Sequence, residues 1–223
     1  MTKTRSYKLI CPIARALDRI GDRWTLLILR DLHAGPARFS DLQQGLTGIA
    51  ANLLTDRLAK LVADGLVEKT NGPFGTTLYA LTARGQATRS ILFELALFGG
   101  ALPPGPEIVR PGNLRMIAIT LGTACQRAMD SEIALEAEFR IDGEPFTLQA
   151  GDGNAAMTAG AASDPDIVVT TGYKALLAVS EGEIGLDEFA EGHAELAVNT
   201  PGKEVQLMQL LSGAIAVLHG DAA

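Results

Sequence analysis

Several residues in the first half of the chain have types and spacing suited to contact with phosphates and bases. Arg38 and Ser40 stand at the start of a short helical stretch, where positive charge and backbone N–H groups suit a phosphate. Asn52 and Thr55 fall early on the next stretch, placed to reach base edges. Arg57 suits a phosphate, a base or a brace against the following hairpin, and Lys60, Lys69 and Thr76 add donors nearby. A second chemistry lies with Cys11. A thiol beside a helix N-terminus, with Arg15 one turn on, is a candidate redox group reacting as thiolate, and a small buried apolar residue is the alternative. Cys125 sits on an apolar helical stripe and is expected to be inert. His193 between Glu191 and Glu195 has the types for acid–base work, but exposed polar residues at a helix–strand junction account for it. There is no Gly-x-Ser-x-Gly, no phosphate loop and no metal-ligand spacing, so neither catalysis, nor a metal, nor a cofactor is expected.

The chain of 223 residues is 47% hydrophobic and 20% charged, enough for one large domain or two small ones and too apolar for disorder. No apolar run approaches the roughly 20 residues of a membrane span, and no signal-peptide apolar region follows the polar start. The expectation is a soluble cytoplasmic protein. Two cysteines more than a hundred residues apart exclude a disulfide framework, and His33, His193 and His219 are too scattered for structural zinc. The net charge of −7 is unevenly spread. Residues 1–100 hold 13 Lys/Arg against 8 Asp/Glu, whereas residues 101–223 hold 6 against 18. A phosphate footprint is therefore possible on the first half and excluded on the second.

The elements that must carry these residues follow from periodicity. Ile13, Leu17 and Ile20 mark a first helix. Asp22 can cap a second, with Trp24, Leu27, Ile28 and Leu32, ending near Gly35. Ser40-Asp41-Leu42-Gln43 reads as a capping box opening a third. Leu54, Leu58 and Leu61 stripe a fourth, which Gly65 can end. Residues 66–70 and 76–81 have strand composition around Asn71-Gly72-Pro73 and predict a hairpin, and a last helix is expected from Ala83 to Phe98. Two short helices joined by a tight break and followed by a hairpin describe a winged helix-turn-helix. Its second helix fits a major groove, and its hairpin tip can lie along the neighbouring minor groove.

Five blocks carry a specific likeness: Cys11-Pro12-Ile13, the stretch Gly21 to Leu29, Arg38 to Leu42, Leu54 to Leu58, and Tyr79 to Gly85. In order and spacing they resemble the HxlR-type branch of the MarR-like winged-helix regulators, over about residues 7–98. The resemblance implies a transcription regulator that binds double-stranded operator DNA as a homodimer, with the domain's first and last helices forming much of the interface. It also implies redox sensing through Cys11, as in several family members. Two positions depart from the pattern: Ala50 replaces a Ser cap, and Leu78 an acidic residue before the hairpin's Tyr79.

After GGALPPGP at 99–106, which reads as a linker, the period changes. A helix carries Leu114, Ile117, Ala118, Leu121 and Cys125. Residues 132–141 then alternate, with Glu132, Glu136, Glu138 and Arg140 on a wet face. Asp142-Gly143 signals a tight hairpin, the meander continues through Phe146, Leu148, Ala155 and Met157, and residues 167–171 form a further strand. Two short helices (about 173–181 and 186–191), a strand through Leu196 and Val198 and an apolar final helix opened by Pro201 complete the chain. Residues 164–171, 176–184 and 189–192, within about 110–218, resemble the sterol-carrier-protein-type lipid-binding fold, although Asn199-Thr200-Pro201 replaces that family's glycines. The likeness implies an apolar cavity for a lipid-like small molecule, with Leu135, Phe139, Phe146, Met157, Val169, Leu176, Phe189, Met208 and Leu211 as candidate linings. Residues that simply fill a core are the alternative.

The expected architecture has two domains. Residues 1–98 form a mainly α winged helix-turn-helix, 99–110 a Gly/Pro linker, and 111–223 an α+β domain whose mostly antiparallel sheet is covered on one face by helices. The expected function is a DNA-binding regulator modulated by an apolar ligand, not an enzyme and not a membrane protein. The alternatives are a regulator sensing oxidants through Cys11 with a structural second half, or a lipid carrier that retains a DNA-binding fold.

Overall fold

The computed structural model describes residues 6–102 and 113–220, which form two compact units, Met1–Leu92 and Phe93–Ala223. In the first unit, Pro12 opens helix α1 (Pro12–Ile20) directly after Cys11. Of its expected apolar stripe only Ile20 is buried; Ile13 is 71% and Leu17 44% exposed. Helix α2 (Thr25–His33) begins where the Asp22 carboxylate accepts the Trp24 N–H at 3.1 Å, and it buries Ile28, Leu29 and Leu32. Helix α3 (Phe39–Gly45) starts one residue before Ser40. Ala37 exchanges two backbone hydrogen bonds with Tyr79, at 2.8 and 3.0 Å, which holds the chain extended up to Arg38. The Arg38 N–H then donates to the Asp41 carboxylate at 3.0 Å, so Asp41 does the work expected of Gln43, and the Ser40 hydroxyl donates to Asp41.

Helix α4 (Ala51–Ala63) buries Leu54, Leu58 and Leu61 on one stripe. It stops at Gly65, whose φ of +69° lets the N–H groups of Gly65 and Leu66 turn back to the carbonyls of Val62 and Leu61. Strands β1 (Val67–Asn71) and β2 (Thr77–Leu81) pair antiparallel as the wing. The single helix expected from Ala83 to Phe98 is two, α5 (Ala83–Gln86) and α6 (Arg89–Gly100). The break lies at Thr88, whose hydroxyl donates to the Gly85 carbonyl at 2.7 Å and accepts from the His33 Nε2–H at 3.0 Å. Gly85 is required here. A Cβ on it would lie 2.1 Å from the Leu66 carbonyl oxygen.

Gly99 and Gly100, expected in the linker, complete α6, and residues 103–110 of that segment lie outside the described residues. In the second unit α7 (Ile117–Arg127) precedes β3 (Leu135–Ile141), β4 (Glu144–Gly151), β5 (Asn154–Ala159) and β6 (Ile167–Thr171). Then come α8 (Tyr173–Ser180), α9 (Leu186–Gly192), β7 (Ala194–Val198) and α10 (Lys203–His219). The sheet runs β5-β4-β3-β6-β7, antiparallel except for the parallel pair β3 and β6. Asp142-Gly143, with φ of +48° and +86°, makes the expected tight turn, and Asp152-Gly153 makes another. Leu135, Ala137, Phe139 and Ile141 are buried with Phe146, Leu148, Met157, Ile167 and Val169. Helix α7 packs so close to β5 that a Cβ on Gly122 would meet the Met157 Cβ at 2.9 Å. On the opposite face Glu138 is not wet. It is 3% exposed, accepting from Arg140 Nε at 2.6 Å and from the Ala162 N–H at 3.0 Å, because the 160–162 segment folds over it.

Candidate nucleic-acid interface and apolar cavity

The first unit brings part of the predicted polar set to its surface. Arg38, Ser40, Asn52, Thr55 and Lys69 are exposed. Without a Ser at position 50, the start of α4 has no side-chain cap; the Asn52 carboxamide oxygen accepts the Leu53 N–H at 2.9 Å, and the Thr55 hydroxyl donates to the Ala51 carbonyl. The remaining predicted contacts have intrachain partners. Arg57 Nε and Nη2 hold the Asp22 carboxylate at 2.8 and 2.7 Å, so the arginine braces the start of α2 rather than the hairpin. Lys60 Nζ donates to the Asp18 carbonyl at 2.8 Å, neutralising the open C-terminal end of α1. Thr76 closes the wing tip, its hydroxyl donating to the Pro73 carbonyl at 2.8 Å. Lys69 Nζ stands 5.8 Å from the centre of the Tyr79 ring.

Cys11 is exposed at the N-cap of α1. Cys125 is buried on α7, and burial pushes its thiol up to about 12, so it stays protonated. His193 is exposed at the end of α9. Among the described residues no cluster of His, Cys, Asp or Glu has the arrangement of a metal site, and no helix is long and apolar enough to cross a membrane.

The second unit contains a cavity of about 630 Å³. Its walls come from the end of α6, from α7, α8, α9 and α10, and from Phe139 of β3. Four of the nine predicted linings face it: Phe139, Leu176, Phe189 and Leu211. Leu135, Phe146, Met157 and Val169 are instead packed into the sheet's core, and Met208 is half-buried away from the cavity. Sequence reading missed Leu121, Leu186, Ile215 and Leu218 as linings. The spacing of Ile215 and Leu218 four and seven residues after Leu211 is the signal that would have found the last two. Tyr173, Thr120 and Ser180 supply polar groups among apolar walls. The Tyr173 hydroxyl points to Met116 Sδ at 4.0 Å, and burial, reinforced by Glu181, raises its pKa. At the far end of α10 the His219 ring nitrogen lies 3.0 Å from the Ser180 carbonyl.

His33 and Phe74 are further groups that sequence reading passed over. His33 is 2% exposed, and burial together with the charge of Arg89 pushes its pKa down to about 4. Because Thr88 spends its proton on Gly85, the neutral ring carries its hydrogen on Nε2, and Nδ1 is buried without a hydrogen-bond partner.

Residues 19–103 match the family described as HxlR-like helix-turn-helix. The chain is similar to the uncharacterized HTH-type transcriptional regulator sll1512 of Synechocystis, with 33% identity over 40% of this chain and 68% of the relative. It is similar to Rv3095 of Mycobacterium tuberculosis, named likewise, at 36% over 43% of this chain and 61% of the relative. YvaP of Bacillus subtilis, also named an uncharacterized HTH-type transcriptional regulator, is 32% identical over 39% of this chain and 83% of its own length.

Proposed function

Since the chain belongs to the HxlR-like helix-turn-helix family of transcriptional regulators, we propose that it binds operator DNA as a homodimer in the cytoplasm. Helix α4 enters the major groove, and the wing lies along the neighbouring minor groove. An apolar small molecule in the second unit modulates this binding. The observation that carries the reading is the outer face of α4, where Asn52 and Thr55 stand exposed while Leu54, Leu58 and Leu61 are buried beneath. Arg38, Ser40 and Lys69 supply phosphate contacts, whereas Arg57, Lys60 and Thr76 serve chiefly by holding α2, α1 and the wing tip in place. Exposed apolar residues favour the dimer: Ile10, Ile13 and Leu17 at one end of the unit, and Ile91, Leu95 and Phe98 along α6.

Selection from random-sequence duplexes with the full chain should return an inverted repeat with half-sites about one helical turn apart. Arg38→Ala should weaken binding on every sequence and reduce the salt slope by about 1, while Asn52→Ala should relax preference at its own base pair, at about 1–3 kcal/mol. A selection that enriches no sequence would reject operator binding and leave the lipid-carrier reading. A second reading rests on the exposure of Cys11 at the N-terminus of α1. Repeating the titration after diamide, with wild type and Cys11→Ser, tests it, and identical affinities in all arms would remove redox control.

Ligand modulation is supported by the cavity, whose mostly apolar walls, few polar groups and volume suit a small apolar molecule. Ala96, Leu97, Gly100 and Ala101 in its wall belong to or directly follow α6. Solvent extraction of the purified chain followed by mass spectrometry should recover an apolar molecule. Readding it at about 100 times its Kd should stabilise the second unit by about 2.7 kcal/mol. Leu121→Trp should abolish that gain. A ligand that stabilises the chain but leaves operator affinity unchanged would reduce the second unit to a binding module.

A further inference from the structure

We propose that Phe74, at the tip of the wing, is an apolar wedge that enters the DNA minor groove and opens a base step. The proposal rests on the DNA-binding reading and assigns that site a residue the sequence did not single out. Phe74 is the most exposed large hydrophobic side chain among the described residues, at 103% of its reference area. Its backbone is left-handed, with φ +56° and ψ +28°, a region that bulky side chains rarely occupy. The fold therefore keeps a left-handed backbone at a bulky residue together with a wholly solvated ring.

The tip's backbone is also held in place. The Gly72 N–H donates to the Thr76 carbonyl at 2.7 Å, the Thr76 N–H donates to the Pro73 carbonyl at 3.2 Å, and the Thr76 hydroxyl closes on the same oxygen at 2.8 Å. Pro73 fixes its own φ, and Gly75 takes the left-handed φ of +74° that follows Phe74. A Cβ on Gly72 would meet Thr76 Oγ1 at 2.7 Å and the Leu78 side chain at 2.9 Å, so the base of the tip is tightly packed. Much of the backbone ordering that a contact requires is already in place.

What the tip can touch follows from its composition. Residues 71–77 read Asn-Gly-Pro-Phe-Gly-Thr-Thr and contain no charge, so this segment cannot act as an ionic clamp on phosphates. The ring is its one large apolar group. Minor-groove edges distinguish bases poorly, but Phe is among the side chains that insert between base steps and partly unstack them. Such a wedge reads deformability rather than base identity, and pyrimidine–purine steps yield most easily. The partner feature is thus a TA or CA/TG step in the operator flank beneath the wing.

The test uses the full chain and duplexes recovered by the wild type from a random-sequence pool, with 2-aminopurine placed beside the flanking step. Phe74→Gly suits the left-handed backbone better than phenylalanine does and should leave thermal stability equal or higher. It should nevertheless bind about tenfold more weakly, with an unchanged salt slope because no phosphate contact is lost. It should lose both the flank preference and the 2-aminopurine fluorescence rise, while the preference beneath α4 persists. Phe74→Leu should restore most of the affinity. Equal affinity and equal flank preference for wild type and Phe74→Gly would overturn the wedge, as would a loss accompanied by a shallower salt slope. If the wild type itself enriches no duplex, the DNA-binding reading has failed and the wedge falls with it.

Discussion

Ile13→Glu and Leu17→Glu together should convert the proposed dimer to a monomer and lower affinity for the expected inverted repeat by roughly 10²–10³-fold. Both side chains are substantially exposed on α1, and Ile10 just before the helix is 93% exposed, so among the described residues nothing covers them. A carboxylate placed there would be desolvated on association without a partner, a penalty large enough to abolish a modest interface. The DNA effect then follows from linkage. Once one recognition helix is seated, the second binds at an effective concentration set by the dimer, and a monomer forfeits that advantage. The unit's fold should survive, because Ile20 and Ala14, which anchor α1, are untouched. Sedimentation velocity and operator titration read the two consequences separately. A variant that still sediments as a dimer and binds as wild type would show that α1 is not the dimer face.

A steep loss of stability in mild acid is expected from His33. The buried ring remains neutral down to about pH 4, whereas in the unfolded chain it takes up a proton near its ordinary value of 6.5. As pH falls from about 6.5 to about 4, the unfolded state gains a proton that the folded state refuses, so the folded state loses ground throughout that window. The full loss is about 3 kcal/mol, and below pH 4 this residue adds nothing further. The structural cause is plain: Nε2 is engaged by Thr88, and a second proton would be buried beside the charge of Arg89, which together outweigh the help of the neighbouring Gln86 side chain. Trp24 is the chain's sole tryptophan and lies in the first unit, so its fluorescence follows the relevant unfolding even if the two units melt apart. Urea titrations at about pH 7 and pH 4.5 should show the loss in the wild type and a much smaller one in His33→Gln. Equal pH dependence in the two proteins would mean that another group controls acid stability.

Local pattern decided most of the first unit. The Leu54, Leu58, Leu61 stripe, the strand composition on either side of Gly72-Pro73 and the glycine at position 65 act within a few residues, through helical period, ladder pairing and φ > 0. In the second unit the same held for the Asp142-Gly143 turn and for the alternation that turns Leu135, Ala137, Phe139 and Ile141 inward. What could not be read locally was which polar groups the fold would spend on itself. Arg57 and Lys60 carry the same charge as Arg38, yet Asp22 and the end of α1, 35 and 42 residues away, engage them. Ser40 lost the cap because Tyr79 holds Ala37 extended, and Glu138 lost its water because the chain returns over it at Ala162. The cavity had the same dependence. Alternation determined that Phe146, Met157 and Phe139 share one sheet face. Only the placement of α7 against β5 decided that Met157 would be packed tight against a helix, while Phe139, equally buried, came to stand in the cavity's wall. Periodicity depends on neighbours a few bonds away and is carried by the sequence. The use of a charge or an apolar surface depends on which distant segment arrives to cover it, and only the tertiary structure decides that.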